Sequence, residues 1–323
     1  MPNIKRTMMG AAGVSSQSEG LFAWGKGNNG KLGIGAYGGW GAVKSSPVQV
    51  GELTTWSNMA AGRRHSLGVR TDGKLFSWGS GSYGGLGLGN TTSYSSPVQV
   101  GALTTWSKVA AGDGCTFGIK TDGTLWAWGS NQWNGQLGLG DATNRSSPVQ
   151  VGSLTDWSKI TAGSGNAFGI KTGGTLWSWG SGSNGAIGRG NTTTYSSPVQ
   201  VGALTTWANI SGSGISACLA VKTDGTMFSW GRNSNGELGL DDTTNRSSPV
   251  QIGALTTWSK VSTYYYHSAA IKTDGTLWSW GLGKFIGDDT TVSKSSPVQI
   301  GTQTNWSSVF SQGQHALAIA SSS

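Results

Sequence analysis

One pattern of about 50 residues occurs six times between residue 20 and the end of the chain. Every copy contains three segments in a constant order, of the types Leu-Trp-Ser-Trp-Gly, Ser-Ser-Pro-Val-Gln and Thr-Thr-Trp-Ser. The second tryptophan of the first segment, or its equivalent, is found at Trp24, Trp78, Trp128, Trp179, Trp230 and Trp280. Repeats of this length predict an array of similar supersecondary units, which bury a shared core by stacking on one another.

Each copy has the features of short strands separated by turns. In the copy that begins at Trp106, Asp122-Gly123 favours a tight hairpin, because both residues tolerate a positive φ. The alternation in residues 125–128 places Trp126 and Trp128 on one face of a strand. Four strands are predicted in this copy, at residues 109–111, 116–120, 125–128 and 148–151. The predicted fold class is therefore all-β, a six-bladed β-propeller with four short antiparallel strands per blade.

The two ends of the chain predict how the ring closes. The last copy stops where its hairpin turn would follow, and the first copy begins with the matching second half of that hairpin. We therefore expect residues 302–320 and 20–51 to form one composite blade, in which N- and C-terminal strands share a sheet. The propeller would then span residues 20–323, with residues 1–19 as a separate N-terminal arm.

Three further stretches are residues 129–138, residues 148–151, and residues 61–65 ahead of the hairpin at Asp72, and similar stretches recur through residues 20–320. They resemble the regulator-of-chromosome-condensation repeat, a β-propeller family. Members of that family commonly have seven blades, whereas this chain has six copies. Kelch and tryptophan-aspartate propellers are the alternative families.

Two sets of polar residues recur at fixed repeat positions and are interpreted as structural. The resemblance implies that the histidines at one position bond to the blade backbone; they are His65, His267 and His315. The aspartates of the hairpin turns form the second set, Asp72, Asp122, Asp224 and Asp274. Because each histidine belongs to a different copy, the three do not predict a metal or catalytic cluster.

Composition and charge exclude several classes of function. The formal charge is +8, but the cations at one repeat position stand close to the hairpin aspartates, which argues against specific nucleic-acid binding. No basic run is longer than two residues, as at Arg63-Arg64. The sequence contains no stretch of 18 apolar residues, so membrane insertion is not predicted. The spacing of Cys115 and Cys218 does not suggest a disulfide framework. No nucleophile, base and orienting group can be assembled, so we predict neither an enzyme nor a cofactor.

Function is expected where the copies differ, since common positions are explained by the scaffold. Aromatic and basic residues at such places form the candidate interaction surface: Tyr37, Trp40, Arg63, Arg64, Tyr83, Tyr94, Trp133, Tyr195, Tyr264, Tyr265 and Tyr266. Aromatic residues and arginine are enriched among interface anchors. Packing against neighbouring loops is the alternative explanation for some of them.

The N-terminal arm contains Lys5, Arg6, Met8 and Met9, and is too short and glycine-broken for a signal peptide. Its first residues are similar to the starts of structural proteins of tailed bacteriophages. These features predict a non-enzymatic virion surface protein, whose arm binds other virion proteins and whose propeller attaches to a host surface protein or glycan. The alternative is an intracellular, cytoplasmic module that binds a protein partner as a regulator or inhibitor. A polysaccharide-cleaving enzyme would additionally need a pair of carboxylates in a groove.

Overall fold

A computed structural model of the chain describes residues 20–36, 43–212, 217–312 and 315–320. The regular structure in these residues is almost entirely strand. The three short 3₁₀ turns are Ser82–Gly84, Ser183–Gly185 and Gly283–Phe285. In this part of the chain no helix is long and apolar enough to span a membrane.

The first sheet along the chain has two strands, β1 (Gly20–Lys26) and β2 (Val43–Thr54). The next five copies of the repeat form four-stranded antiparallel sheets, numbered here as blades 1 to 5. Blade 1 consists of β3 (Trp56–Ala61), β4 (His65–Arg70), β5 (Leu75–Gly79) and β6 (Tyr94–Gln99). Blade 2 consists of β7 (Trp106–Ala111), β8 (Cys115–Lys120), β9 (Leu125–Gly129) and β10 (Arg145–Gln150).

The remaining blades repeat this arrangement. Blade 3 consists of β11 (Trp157–Ala162), β12 (Asn166–Lys171), β13 (Leu176–Gly180) and β14 (Tyr195–Gln200). Blade 4 consists of β15 (Trp207–Gly212), β16 (Ala217–Lys222), β17 (Met227–Gly231) and β18 (Arg246–Gln251). Blade 5 consists of β19 (Trp258–Tyr264), β20 (His267–Lys272), β21 (Leu277–Gly281) and β22 (Lys294–Gln299).

The last sheet has two strands, β23 (Trp306–Gln312) and β24 (His315–Ala320). In blades 1 to 5 the four strands lie side by side in chain order, so each strand pairs with the next one along the chain. The prediction of an all-β, propeller-like fold with four antiparallel strands per blade is confirmed.

Tryptophan packing explains why each copy folds into a blade. Within blade 2 the ring of Trp106 lies over Gly118, where a Cβ would come within 2.5 Å of it. The same ring contacts Trp126 and Trp128 edge-on, at 6.3 and 5.8 Å between centroids. Such edge-to-face pairs add about 0.5–1.5 kcal/mol to the free energy of burial. The small residue opposite the first-strand tryptophan is therefore required by the packing of the blade.

A second tryptophan contact joins each blade to the preceding copy. A Cβ at Gly87, in the turn after β5, would lie 2.7 Å from the indole nitrogen of Trp128. Gly138 stands in the same relation to Trp179, and Gly239 to Trp280. These glycines have positive φ, so both the backbone and the neighbouring indole favour glycine there. The two-tryptophan motif thus holds a blade together and fixes it to its neighbour.

The predicted composite blade and the closed six-bladed ring are not confirmed. Strand β1 pairs with β2, and β24 pairs with β23, in two separate sheets. The N-terminal pair packs on blade 1 through Leu21 and Ala23, whereas the C-terminal pair packs on blade 5 through Val309. The physical reason is that no hairpin turn joins β24 to β1, whereas a turn joins the second and third strands within every complete blade.

Candidate interaction surface

The strand register places two sets of loops on one face of the propeller. Gly79 at the end of β5 pairs with His65 at the start of β4 and with Tyr94 at the start of β6. The loop between the first and second strands of a blade therefore lies beside the loop between the third and fourth strands. We call this the loop face. The opposite face, with the Asp-Gly turns and the connections between blades, is the hairpin face.

All the described residues of the predicted surface belong to the loop face. Tyr83 and Trp133 lie in the loops after β5 and β9, and Trp133 is 71% exposed. Tyr94 and Tyr195 begin the outer strands β6 and β14 and are partly buried. Tyr37, Trp40 and residues 1–19, including Lys5, Arg6, Met8 and Met9, lie outside the described residues.

Charged loops of blades 1 and 2 meet near the centre of the loop face. Arg63 Nη1 and Arg64 Nε donate to the two carboxylate oxygens of Asp113, at 2.8 and 2.9 Å. The hydrogen bond to Asp113, and then the charge of that carboxylate, raises the pKa of the Arg63 guanidinium. One carboxylate serves two guanidinium groups, so the pair of loops keeps a net positive charge.

The tyrosines of blade 5 complete this central cluster. Burial, followed by Tyr265 and Asp113, raises the pKa of the Tyr264 hydroxyl, whereas Arg63 lowers it. The pKa of the Tyr264 hydroxyl therefore responds to the charges of Arg63 and Asp113, which lie on the same face. We define the axial cluster as Arg63, Arg64, Asp113, Tyr264, Tyr265 and Tyr266.

The aromatic side of the axial cluster continues outward along blade 5. Ring centroids are 4.8 Å apart for Tyr264 and Tyr265, 5.9 Å for Tyr265 and Tyr266, and 6.3 Å for Tyr266 and Phe285. The Arg232 guanidinium lies 5.6 Å from the Tyr266 ring centroid. The result is a half-buried aromatic row with the Arg232 guanidinium against its third ring, a composition typical of interface anchors.

Sequence reasoning missed two cations beside this cluster, Arg232 and Lys31. Lys31 Nζ donates to the carbonyl oxygen of Arg63 at 3.2 Å. Burial lowers the pKa of Lys31, and the nearby charges of Lys26 and Arg63 lower it further. A position-by-position comparison of the copies in this turn would have singled Lys31 out. The other copies have Gly85, Gln136, Ala186, Glu237 or Phe285 at its position.

Two of the histidines at the shared repeat position, His65 and His267, lie in the interior of the fold. His65 is buried, and its Nε2 lies 2.7 Å from the Thr116 hydroxyl of the next blade, which in turn donates to the Gly85 carbonyl at 2.8 Å. His267 is buried against Phe285, and His315 begins β24. For His65 the expected backbone partner is therefore wrong: its side chain bonds to a side chain, and so joins two blades.

The hairpin aspartates cap their own turns. Asp122 Oδ1 accepts hydrogen bonds from the Thr124 hydroxyl at 2.7 Å and from its backbone N–H at 2.9 Å. These bonds lower the pKa of Asp122. Asp224 and Asp274 make the same pair of contacts, and Asp72 accepts from the Lys74 N–H. A side chain that bonds backbone two residues ahead is a standard means of fixing a turn.

Four lysines at one repeat position of the hairpin face are held by aromatic rings. The Lys120 ammonium lies 3.5 Å from the Trp126 ring centroid and 5.2 Å from that of Trp106. Lys171 and Lys272 are similarly placed between two tryptophans, and Lys222 lies over Phe228. Their side chains are part of the packing of each blade, so they do not form a free basic surface.

Within the described residues no three His, Cys, Asp or Glu side chains converge on a possible metal site. The two thiols are buried, and burial raises the pKa of Cys115 to about 12 and that of Cys218 well above its usual value. Thiols held in the protonated form are poor nucleophiles. The chemistry available on the loop face is recognition by aromatic rings and guanidinium groups.

Sequence comparison then decides the family. The family model described as "Regulator of chromosome condensation (RCC1) repeat" matches residues 18–69, 72–119, 122–170, 173–219 and 224–271. The chain belongs to the RCC1 repeat family. A second RCC1 model matches residues 56–84, 106–136 and 258–285. The resemblance inferred from the repeat motifs is confirmed, whereas a bacteriophage origin gains no support from these comparisons.

Relatives of this RCC1 chain include proteins of very different size. The ultraviolet-B receptor UVR8 of Arabidopsis thaliana is 29% identical over 72% of this chain and 54% of its own length. The E3 ubiquitin-protein ligase HERC2 of Homo sapiens is 30% identical over 73% of this chain but 5% of its own length. The chain therefore spans about half of UVR8 and a small part of HERC2.

A solved structure supports the RCC1 fold independently of close sequence similarity. Prp20p of Saccharomyces cerevisiae matches with a TM-score of 0.80 at 18% identity, covering 95% of this chain and 80% of that one. At this identity the likeness shows the fold alone. Binding to Gsp1p and to histones is described for Prp20p, and it is a property of that protein.

Proposed function

We propose that this RCC1 propeller is a non-enzymatic protein-binding module, and that it regulates its partner through the loop face. The axial cluster is the observation that carries the proposal, because it joins the guanidinium groups of blade 1, the Asp113 carboxylate of blade 2 and the tyrosines of blade 5 on one face. The protein binding described for Prp20p supports the same function class. The ligase name of HERC2 does not bear on it, because the matched part is 5% of that protein.

Residues around the axial cluster extend the proposed surface toward the rim. Trp133 and Tyr83 are exposed on the loop face and offer large apolar rings at low conformational cost. Display on a virion, with the arm bound to other virion proteins and the propeller bound to a host protein or glycan, is not supported by these relatives. A protein-binding regulator, the alternative in the sequence analysis, agrees better with them.

Site-specific photo-crosslinking in the cells that make the protein tests the proposed surface. A benzophenone amino acid at Trp133 or Tyr265 probes the loop face, and one at Leu154 or Leu204, which are exposed on the hairpin face, is the matched control. We expect a protein adduct of defined mass from the loop-face positions, abolished by Arg63→Ala with Tyr264→Ala. Adducts of equal yield from both faces, or from the hairpin face alone, would contradict the proposal.

We also propose that the ring closes with six blades, through the composite blade of residues 20–51 and 302–320. Unsatisfied packing at the two ends supports this proposal. Trp24 is 51% exposed, whereas the equivalent Trp78 is 3% exposed and the other four equivalents are fully buried. Ile319 is 54% exposed, whereas its equivalent Ile271 is 2% exposed. Both residues would be buried if β24 paired with β1.

The turn glycines provide a second argument for closure. A tryptophan of the next copy covers each of the five glycines Gly33, Gly87, Gly138, Gly188 and Gly239. Gly287 occupies the same position in the last copy, yet a Cβ there would meet none of the described residues within 4 Å. Trp24 belongs to the copy that would follow Gly287 in a closed ring. In a closed ring Trp24 would therefore cover Gly287, as the equivalent tryptophans cover the other turn glycines.

A further inference from the structure

The first strands of blades 1 to 4 line a small cavity beside the propeller axis. Its volume is about 280 Å³, just below the usual range of small-molecule sites. The polar side chains that line it are Asn58, Lys108, Lys159 and Asn209, and β-branched side chains of the same strands make up the rest of the lining. We call it the axial cavity. It is distinct from the axial cluster, because it is lined by strands rather than by loops.

The polar groups of the axial cavity offer hydrogen-bond donors and little else. Asn58 Oδ1 accepts from the Val109 backbone N–H at 2.9 Å. Asn209 Oδ1 accepts from the Ile210 N–H at 3.0 Å. With each carbonyl oxygen engaged by the backbone, both amides have their N–H groups left to offer. Both amides can therefore donate to a ligand that is rich in acceptors.

The two lysines add uncompensated positive charge. Lys108 Nζ donates to the Ser158 carbonyl and Lys159 Nζ to the Ala208 carbonyl, each on the next blade. An ammonium group has three N–H donors, so each lysine retains further donors. Burial, and then the charge of Lys108, lowers the pKa of Lys159. Among the described residues neither lysine has a carboxylate partner within ion-pair distance, in contrast to the lysines and arginines of many surface pairs.

The strand position that supplies these polar side chains lacks acidic residues in all six copies of the repeat. The equivalent position in the six copies is Asn58, Lys108, Lys159, Asn209, Lys260 and Ser308. None of these is acidic, although acidic residues are frequent in the hairpins and loops of the same copies. Lys108 and Lys159 are exposed at the open side of the cavity, and cations of one sign that line a cleft raise the local concentration of anions.

We propose that the axial cavity binds a small multivalent oxyanion of the phosphate class. Its lining supplies two ammonium groups and two amides to the oxygens of the anion, and its volume suits one or two phosphoryl groups. The same donors would recognise a free inorganic ion and the phosphate end of a nucleotide. Binding would join blades 1 to 4 through one charge centre, and so would stabilise the folded protein.

Titration calorimetry of the full chain with inorganic pyrophosphate tests this site. We expect saturable binding of one pyrophosphate, and a loss of at least tenfold in affinity for Lys108→Met with Lys159→Met. Asn58→Asp keeps the oxygen that accepts from Val109 but replaces the amide donor by a carboxylate, so it should lower the affinity similarly. Lys44→Met, on an outer strand, removes one positive charge elsewhere, half of what the double variant removes, and should change the affinity less than twofold.

Two further measurements separate the sources of the anion and the effects on folding. Comparable affinity for ADP and pyrophosphate would assign the site to nucleotide phosphates, whereas weaker binding of ADP would assign it to free ions. Lys108→Arg with Lys159→Arg keeps the charge and should bind pyrophosphate within about threefold of wild type. Absence of saturable binding in wild type, or an equal loss in Lys44→Met, overturns the proposal.

Discussion

His65 is a buried base whose titration couples the stability of the blade 1–blade 2 contact to pH. Burial lowers its pKa from 6.5 to about 4; the charge of Asp113 raises the pKa by a smaller amount, and the charge of Arg64 lowers it. The folded protein therefore holds a neutral imidazole, which bonds to Thr116, at pH values where the unfolded chain is already protonated. This contribution is complete above pH 6.5 and is lost as the pH falls from 6.5 to 4.

Replacement of His65 by asparagine removes that pH dependence. Asparagine is chosen because Asn166 occupies the same repeat position in blade 3 and is fully buried there. Between pH 7 and pH 4 we expect the wild type to lose about 3 kcal/mol more unfolding free energy than His65→Asn. Urea denaturation at about pH 7, 5.5 and 4 measures the difference. Parallel stability profiles for the two proteins would show that His65 does not titrate in this way.

At the residue scale the sequence predicted the repeat positions of polar residues better than it predicted which residues contact one another. The histidine and aspartate positions follow from the repeat, because equivalent residues have similar surroundings in each copy. The approach of Tyr264 to Arg63 could not be predicted, because these residues are about 200 positions apart and meet through the curvature of the array. Lys108 and Lys159 were overlooked for a different reason: a lysine that alternates with apolar residues in a strand is usually on a solvated face.

At the scale of the hairpin, blade 3 lacks a stabilising element that other blades possess. Gly173 replaces the turn aspartate, so Thr175 has no counterpart of the two hydrogen bonds that Asp122 accepts from Thr124. A Cβ at Gly173 would meet no atom within 4 Å, and its φ is not in the left-handed region. Aspartate can therefore be accommodated there without strain.

Gly173→Asp should stabilise the protein by about 1–2 kcal/mol, through the turn hydrogen bonds and the lower backbone entropy of the unfolded chain. It should raise Tm by roughly 2–4 °C in a thermal scan at neutral pH. Gly173→Ala is the matched control, because it changes the backbone entropy but supplies no acceptor. If alanine stabilises as much as aspartate, the hydrogen bonds contribute nothing.

At this same scale the strands were predicted well, and their ends less well. The outer strand of blade 2 was expected at residues 148–151 but begins at Arg145, because its N-terminal part pairs with Gly129 across an irregularity in the register. The proline does lie on the outermost strand, where its missing N–H removes no ladder hydrogen bond. Local sequence predicts which residues favour strands, whereas strand ends depend on the partner strand.

At the scale of the whole molecule, closure of the ring depends on one strand pair, β24 with β1. The register of the complete blades makes a definite prediction for this pair. Val69 and Gly68 in β4 pair with Leu75 and Phe76 in β5, and the equivalent residues place Ala318 opposite Phe22. The native thiols do not interfere with a cysteine test, because both are buried and burial raises the pKa of each.

Phe22→Cys with Ala318→Cys should form an intramolecular disulfide under mild oxidation. A cross-link that closes nearly the whole chain into one loop should stabilise it by on the order of 4 kcal/mol, through the entropy of the unfolded state. Intact mass, migration on a non-reducing gel and the urea midpoint measure the product. Ala23→Cys with Ala318→Cys shifts the register by one residue, so its two side chains would point to opposite faces of the sheet.

The products separate the possible assemblies. A monomeric cross-link formed by the in-register pair, and formed poorly by the shifted pair, means that six blades close within one chain. Disulfide-linked dimers from the in-register pair would mean that the exposed Trp24 and Ile319 are covered by a second copy, because the ends of an open array are complementary and can pair between molecules. If the in-register pair and the shifted pair form cross-links equally well, the two ends do not form a sheet, and the proposed closure is wrong.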